Sequence, residues 1–334
     1  MTDADVRGLR IGARSRALDA SAIGSVPPRL AAKNPRNSLR ACLPIQHDCG
    51  MDPGPADRFG GLPPRPDRGE PVGPTVHSAV PGAAVVVSGL TKRFGGTVAV
   101  NALDLQIPRG TFFGLVGPNG AGKTTTLRMV TGLLRPDAGQ AWVDGVEVWR
   151  DPVAAKAQMG VVPEDLRLFE RLTGMELLTY NGLLRGMDPS TTGERAGELL
   201  RVLALANAGG TLVVDYSHGM RKKIALAAAL LHAPKVLFLD EPLEAVDPLS
   251  ARTIRTVLER DVEAGATVLF SSHVMELVER LCDRVAILHQ GRLVADGPLA
   301  EVKGEGSLED AFVRLVGAEF MEPETLRWLG TSSA

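Results

Sequence analysis

At 334 residues the chain is long enough for one large or two ordinary domains, and its formal net charge of −2 argues neither for nor against a polyanionic partner; no nucleic acid is counted among the expected partners. Its three cysteines, Cys42, Cys49 and Cys282, lack metal-ligand spacing and fit a reducing cytoplasm. No stretch of about 18 uncharged apolar residues occurs and the N-terminus lacks an apolar signal core, so neither a membrane span nor secretion is expected.

About half of the 23 prolines fall before residue 82, without sustained apolar periodicity, and residues 1–82 read as a disordered Pro/Gly-rich extension. Order is expected from the β-branched run at 83–87. Further short strands follow at 97–100 and 103–107, around turns at Gly95-Gly96 and Pro108-Arg109-Gly110. An apolar run at 111–116 then leads into Gly117-Pro118-Asn119-Gly120-Ala121-Gly122-Lys123-Thr124, and a helical stretch from Thr125 leads out.

That octapeptide is a complete G-x-x-x-x-G-K-[ST] loop, set between strand and helix, and it implies a nucleoside triphosphate. Glycines let backbone N–H groups converge on phosphate oxygens, and the next helix offers the positive end of its dipole. Lys123 is expected to reach the β- and γ-phosphates, and the Thr124 hydroxyl to ligate Mg²⁺. The helix is expected to stop at 135–139, before another β pattern at 140–148. Residues 152–205 read as mostly helical, with breaks at Gly174, Gly186 and Asp188-Pro189.

Val236-Leu237-Phe238-Leu239-Asp240-Glu241-Pro242 is four apolar residues ending in two acids. A buried parallel strand would deliver both carboxylates to the ligand-bearing edge of a sheet. Asp240 is expected to partner Mg²⁺, and Glu241 to polarise the water that attacks the γ-phosphate. A helix from Pro248 to about residue 264, a strand at 266–270 and a β-rich end at 284–288 and 291–295 complete an α/β pattern. No internal repeat is evident, so one nucleotide site per chain is expected.

The order of these motifs over about residues 83–317 resembles the nucleotide-binding domain of ATP-binding cassette (ABC) proteins. The most specific element is Tyr216-Ser217-His218-Gly219-Met220, which is similar to the family signature L-S-G-G-Q but departs from it at His218 and Met220. The resemblance implies a P-loop NTPase of ABC type with an antiparallel β subdomain and an inserted helical subdomain at about 152–232. It places the cassette at 83–305 and a C-terminal helix and tail at 306–334. It also implies that two such domains pack head to tail, with Ser217 and Gly219 completing the partner's site and Asp247 linking the two sites.

By the same resemblance Phe94 stacks on adenine, His273 contacts the γ-phosphate and helps hold the attacking water, and Glu164 stands where a glutamine usually contacts Mg²⁺ or water. A carboxylate can also ligate Mg²⁺. Arg221-Lys222-Lys223 reads as a solvated helix face. The implied activity is ATP hydrolysis that drives separate integral-membrane permease subunits, seated near Leu166-Arg167-Leu168-Phe169, with the chain on the cytoplasmic face of the membrane. The segment 306–317 points towards an exporter. The competing readings are a soluble ABC-type ATPase with a non-membrane partner and a low-turnover regulatory nucleotide-binding module.

Overall fold

The computed structural model describes residues 82–317; the expected N-terminal extension up to residue 81, with Cys42 and Cys49, and the tail after Gly317 lie outside the described residues. β1 (Ala83–Phe94) turns at Gly95-Gly96 into β2 (Thr97–Pro108), so the two short strands expected at 97–107 are one strand, bent at Ala102 where φ is +48°. β3 (Phe112–Val116) enters the phosphate loop and α1 (Lys123–Val130) leaves it. This helix ends before the expected breaker at 135–139, because Gly132 takes φ +72° and closes it, with the Gly132 amide donating to the Met129 carbonyl at 3.2 Å and the Leu133 amide to the Arg128 carbonyl at 2.8 Å.

β4 (Ala138–Val143) and β5 (Val146–Glu147) flank the Asp144-Gly145 turn, and α2 (Pro152–Ala157) follows behind its Asp151 cap. Next come β6 (Met159–Val162), α3 (Gly174–Leu184), α4 (Pro189–Val202) and α5 (His218–Leu230). The second half holds β7 (Val236–Asp240), α6 (Pro248–Glu263), β8 (Thr267–Ser272) and α7 (Met275–Leu281). β9 (Arg284–His289), β10 (Arg292–Pro298), α8 (Leu299–Lys303) and α9 (Leu308–Val316) close the described chain.

Two sheets result: an antiparallel one in the order β2-β1-β4-β5, and a six-stranded one in the order β10-β9-β3-β8-β7-β6. In the second sheet every pairing is parallel except β9 with β10. Strand alternation feeds two cores. Phe112, Val116, Leu237, Leu239 and Phe270 face the core shared with the helices, whereas Phe113, Leu115, Phe238 and Leu269 face the core shared with the antiparallel sheet.

Two expectations are corrected within residues 152–205. β6 is a strand, pairing Met159–Val162 with Val236–Leu239 at the edge of the parallel sheet. Four apolar residues are too few to show a helical period, and their partner is remote in sequence. Gly174, expected as a break, starts α3, where the Thr173 hydroxyl and Glu176 form a reciprocal capping box. Glycine is required there because the Tyr216 hydroxyl occupies the space a β-carbon would fill.

Candidate active site

The phosphate loop is built from its surroundings inward. Gly122 caps α1 with φ +103°, and a β-carbon at that position would lie 2.6 Å from the Ala99 carbonyl oxygen. Gly291, in the turn between β9 and β10, donates to the Ala121 carbonyl at 3.0 Å and accepts from the Asn101 amide at 2.8 Å. The loop is thus fixed from both sheets. Lys123, 6% exposed, donates to the carbonyls of Gly117 at 2.8 Å and Pro118 at 3.4 Å.

A cavity of about 420 Å³ opens over this loop. Asn119, Gly120, Ala121, Gly122, Lys123, Thr124 and Thr125 form its floor, and Phe94, Glu164, Glu241, Glu244 and His273 stand around it. Gly117 and Pro118 lie behind the floor, touching it through Lys123. Phe94 is half exposed and carries the Lys92 ammonium 5.7 Å from its ring centroid, so one ring face is backed by charge.

β7, parallel to both neighbours, brings Asp240 and Glu241 to the rim of the cavity, as its apolar run requires. Asp240 Oδ1 accepts from the Ser271 hydroxyl at 2.6 Å and lies 3.3 Å from Thr124 Oγ1, which is itself 3.5 Å from Glu164 Oε2. These three groups offer only oxygen donors, which suit a hard cation that shares its shell with phosphates and water. Among the described residues no group of three or more His, Cys, Asp or Glu side chains is placed to hold a metal ion.

Glu241 is 7% exposed and adopts φ +47°, a left-handed conformation that costs a non-glycine residue about 1–2 kcal/mol. Its backbone is held at both ends: the amide donates to Ser271 Oγ at 3.1 Å, and the carbonyl accepts from Lys222 Nζ at 2.9 Å. Its Oε1 meets His273 Nδ1 at 3.0 Å and Lys123 Nζ at 3.6 Å. The carboxylate that was expected to handle water is therefore joined to the expected phosphate contacts.

Sequence reasoning missed Ala99 and Glu244, which line the cavity, and also Ser271 and Lys222. Ser271 appeared merely as context for His273, although β8 pairs it with Asp240, so strand register carries the signal. Lys222 was assigned with Arg221 and Lys223 to a solvated face; that is corrected, since Lys222 is 3% and Lys223 6% exposed. α5 is buried on most of its circumference, which leaves no broad polar face for those side chains. Burial pushes the Lys222 amine below its ordinary value, and Glu244, Glu164, Asp240 and Glu241 partly offset that.

Ser217, Gly219 and Asp247 do not line the cavity. Ser217 is exposed and caps α5 through the Met220 amide at 3.3 Å, with His218 exposed beside it. A β-carbon on Gly219 would lie 2.7 Å from Asp247 Oδ2, so a small residue lets α5 abut the start of α6. Asp247 caps α6 by accepting from the Ser250 amide at 2.9 Å, and Ser250's amide and hydroxyl hold its carboxyl below the usual range. Leu166, Arg167, Leu168 and Phe169 border a separate groove of about 200 Å³ against α3 and α5, where Phe169 meets Tyr180 edge to face at 5.1 Å. No helix among the described residues is long and apolar enough to cross a membrane.

The family model described as ABC transporter matches residues 100–244. The chain is 40% identical over 223 residues to the daunorubicin/doxorubicin resistance ATP-binding protein DrrA of Streptomyces peucetius, covering 67% of this chain and 68% of that one. It is 36% identical over 208 residues to the linearmycin resistance ATP-binding protein LnrL of Bacillus subtilis (strain 168), covering 62% and 67%. A solved ATP-binding subunit of an ABC transporter superposes with TM-score 0.66 at 28% identity, covering 70% of this chain and 99% of that one. The chain belongs to the ABC transporter family, as an ATP-binding, ATP-hydrolysing subunit of the kind that powers a separate membrane permease.

Proposed function

We propose that the chain hydrolyses ATP with Mg²⁺ in a head-to-tail pair with a second nucleotide-binding domain, held at the cytoplasmic face of a membrane, and drives an exporter. The observation that carries this reading is the convergence of Lys123, Thr124, Glu164, Glu241 and His273 on one cavity, with Asp240 against Thr124. Thr124, Asp240 and Glu164 would hold the cation, which when bound neutralises charge on the β- and γ-phosphate oxygens. Lys123 meets the phosphates from the loop side, and Phe94 offers its face to adenine.

Glu241 is the general base in this reading. Its Oε1 accepts from water and, with His273, sets that water in line with the γ-phosphorus, so the work is positioning and charge stabilisation. Ser217, exposed at the capped N-terminus of α5, and Gly219, buried in the first turn against Asp247, mark a helix end suited to an anion held by a partner domain. Asp247, against Gly219, would relay between the two sites. The groove beside Phe169 would receive the permease, and the helical part formed by α3, α4 and α5 would move with it.

Export is supported by relatives whose names denote resistance to daunorubicin, doxorubicin and linearmycin. The test is Glu241→Gln in the full chain, assayed with its permease in vesicles. ATP binding should persist while turnover and transport fall about 10²–10⁴-fold, the usual loss on removing a placed base. Turnover near the normal rate would remove Glu241 from that role.

A further inference from the structure

We propose that Lys222 is a positioning residue that ties α5, the signature helix, to the Glu241 main chain, so that displacement of α5 is transmitted to the catalytic carboxylate. The proposal rests on Glu241 being the general base. Lys222 lies five residues past the Ser217 cap and is almost fully buried, with Nζ 2.9 Å from the Glu241 carbonyl oxygen. A buried ammonium is costly to maintain, and a methionine would fill the same space without a charge. What the ammonium adds is a strong donor aimed at one peptide.

That peptide belongs to a residue in the left-handed region, at φ +47°, immediately before Pro242. The Ser271 hydroxyl fixes its amide from β8, and Lys222 reaches its carbonyl from α5 at 2.9 Å, beside a longer bond from the Glu244 amide at 3.3 Å. Rotation of this peptide would swing the side chain that reaches His273 and Lys123. Burial works against the charged amine, and the charges of Glu244, Glu164, Asp240 and Glu241 partly offset it. Two contacts therefore leave α5 from adjacent turns: Gly219 against Asp247, and Lys222 against Glu241. An anion pressing on the exposed end of α5 would act on both.

The experiment compares the full chain with Lys222→Met, Lys222→Arg, Glu241→Gln and the Lys222→Met/Glu241→Gln double variant. Steady-state phosphate release gives kcat and KM, binding of a non-hydrolysable ATP analogue gives Kd, and thermal unfolding reports the fold. Lys222→Met should lower kcat about tenfold to a hundredfold while Kd changes no more than about twofold, since misplacing a reacting group by an ångström has that scale of effect. Lys222→Arg should recover most of the rate, and the double variant should be no slower than Glu241→Gln, because both changes act through one group.

Wild-type kcat in Lys222→Met beside a slow Glu241→Gln would overturn the positioning role alone. A normal rate in Glu241→Gln would remove the base and this route with it. Multiplied losses in the double variant, or a joint fall of kcat, nucleotide binding and unfolding temperature without rescue by arginine, would also overturn it. Should Lys222→Met not fold, Lys222→Gln, with a donor on a shorter stem, enters the same comparison.

Discussion

Ser271→Ala isolates the hydroxyl that serves both catalytic-strand carboxylate residues. Ser271 is fully buried, donates to Asp240 at 2.6 Å and accepts from the Glu241 amide at 3.1 Å. Removing it deletes a hydrogen bond to a carboxylate, about 1.5–3 kcal/mol, and strands a buried N–H, about 1–3 kcal/mol. Thr124 remains 3.3 Å from the same Asp240 oxygen and softens the first loss. A combined cost of about 3 kcal/mol follows, which in a domain of this size lowers the unfolding temperature by about 6–12 °C. Turnover should fall at least about tenfold, because both Asp240 and the strained Glu241 lose their common support. Circular dichroism melts and phosphate release measure the two effects on one preparation. An unfolding temperature within about 2 °C of the parent at unchanged kcat would refute the reasoning, since no other group is placed to satisfy that amide.

Two glycines of the phosphate loop should respond differently to alanine. Gly120 (φ +81°) faces open space, so Gly120→Ala should cost the backbone strain alone, about 1–2 kcal/mol. Gly122→Ala adds a collision with the Ala99 carbonyl, a further 1–3 kcal/mol or about that, and should abolish ATP-analogue binding at concentrations that saturate Gly120→Ala. Equal affinities would contradict the buttressed loop. His232 supplies a pH test: burial, then the charge of Arg185, depresses its pKa to about 4, against the hydrogen bond to the Met159 carbonyl. The folded form then binds fewer protons than the unfolded chain, so its stability is full above about pH 6.5 and declines as pH falls towards 4. Urea unfolding at pH 7 and pH 5 should show a loss of about 1–2 kcal/mol from this group, discounted for partial exposure, and His232→Gln should remove that part. An identical loss in the variant would assign the pH dependence elsewhere.

The parts of the site legible in the sequence are those whose chemistry is written locally. The loop from Gly117 to Thr124 needs a strand before it and a helix after it, and Val236–Asp240 needs four apolar residues before its acids; both patterns are contiguous. β6 was hidden because its identity as a strand depends on β7, more than seventy residues away. Lys222 and Lys223 were misread because composition alone cannot separate a wet basic face from amines buried in the fold, of which Lys222 donates to the Glu241 carbonyl. Ser271 was invisible for a third reason: a small hydroxyl in a strand acquires its role only from the residue opposite, here Asp240.

The Lys123 ammonium already binds the carbonyl oxygens of Gly117 and Pro118 and lies 3.6 Å from the Glu241 carboxylate. Two neutral carbonyls and a carboxylate thus hold the ammonium in place at the loop, where a phosphate would offer anionic oxygens as stronger acceptors. The loop therefore carries its own counter-groups for the ammonium it buries, so the charge needs no ligand to be accommodated in the fold.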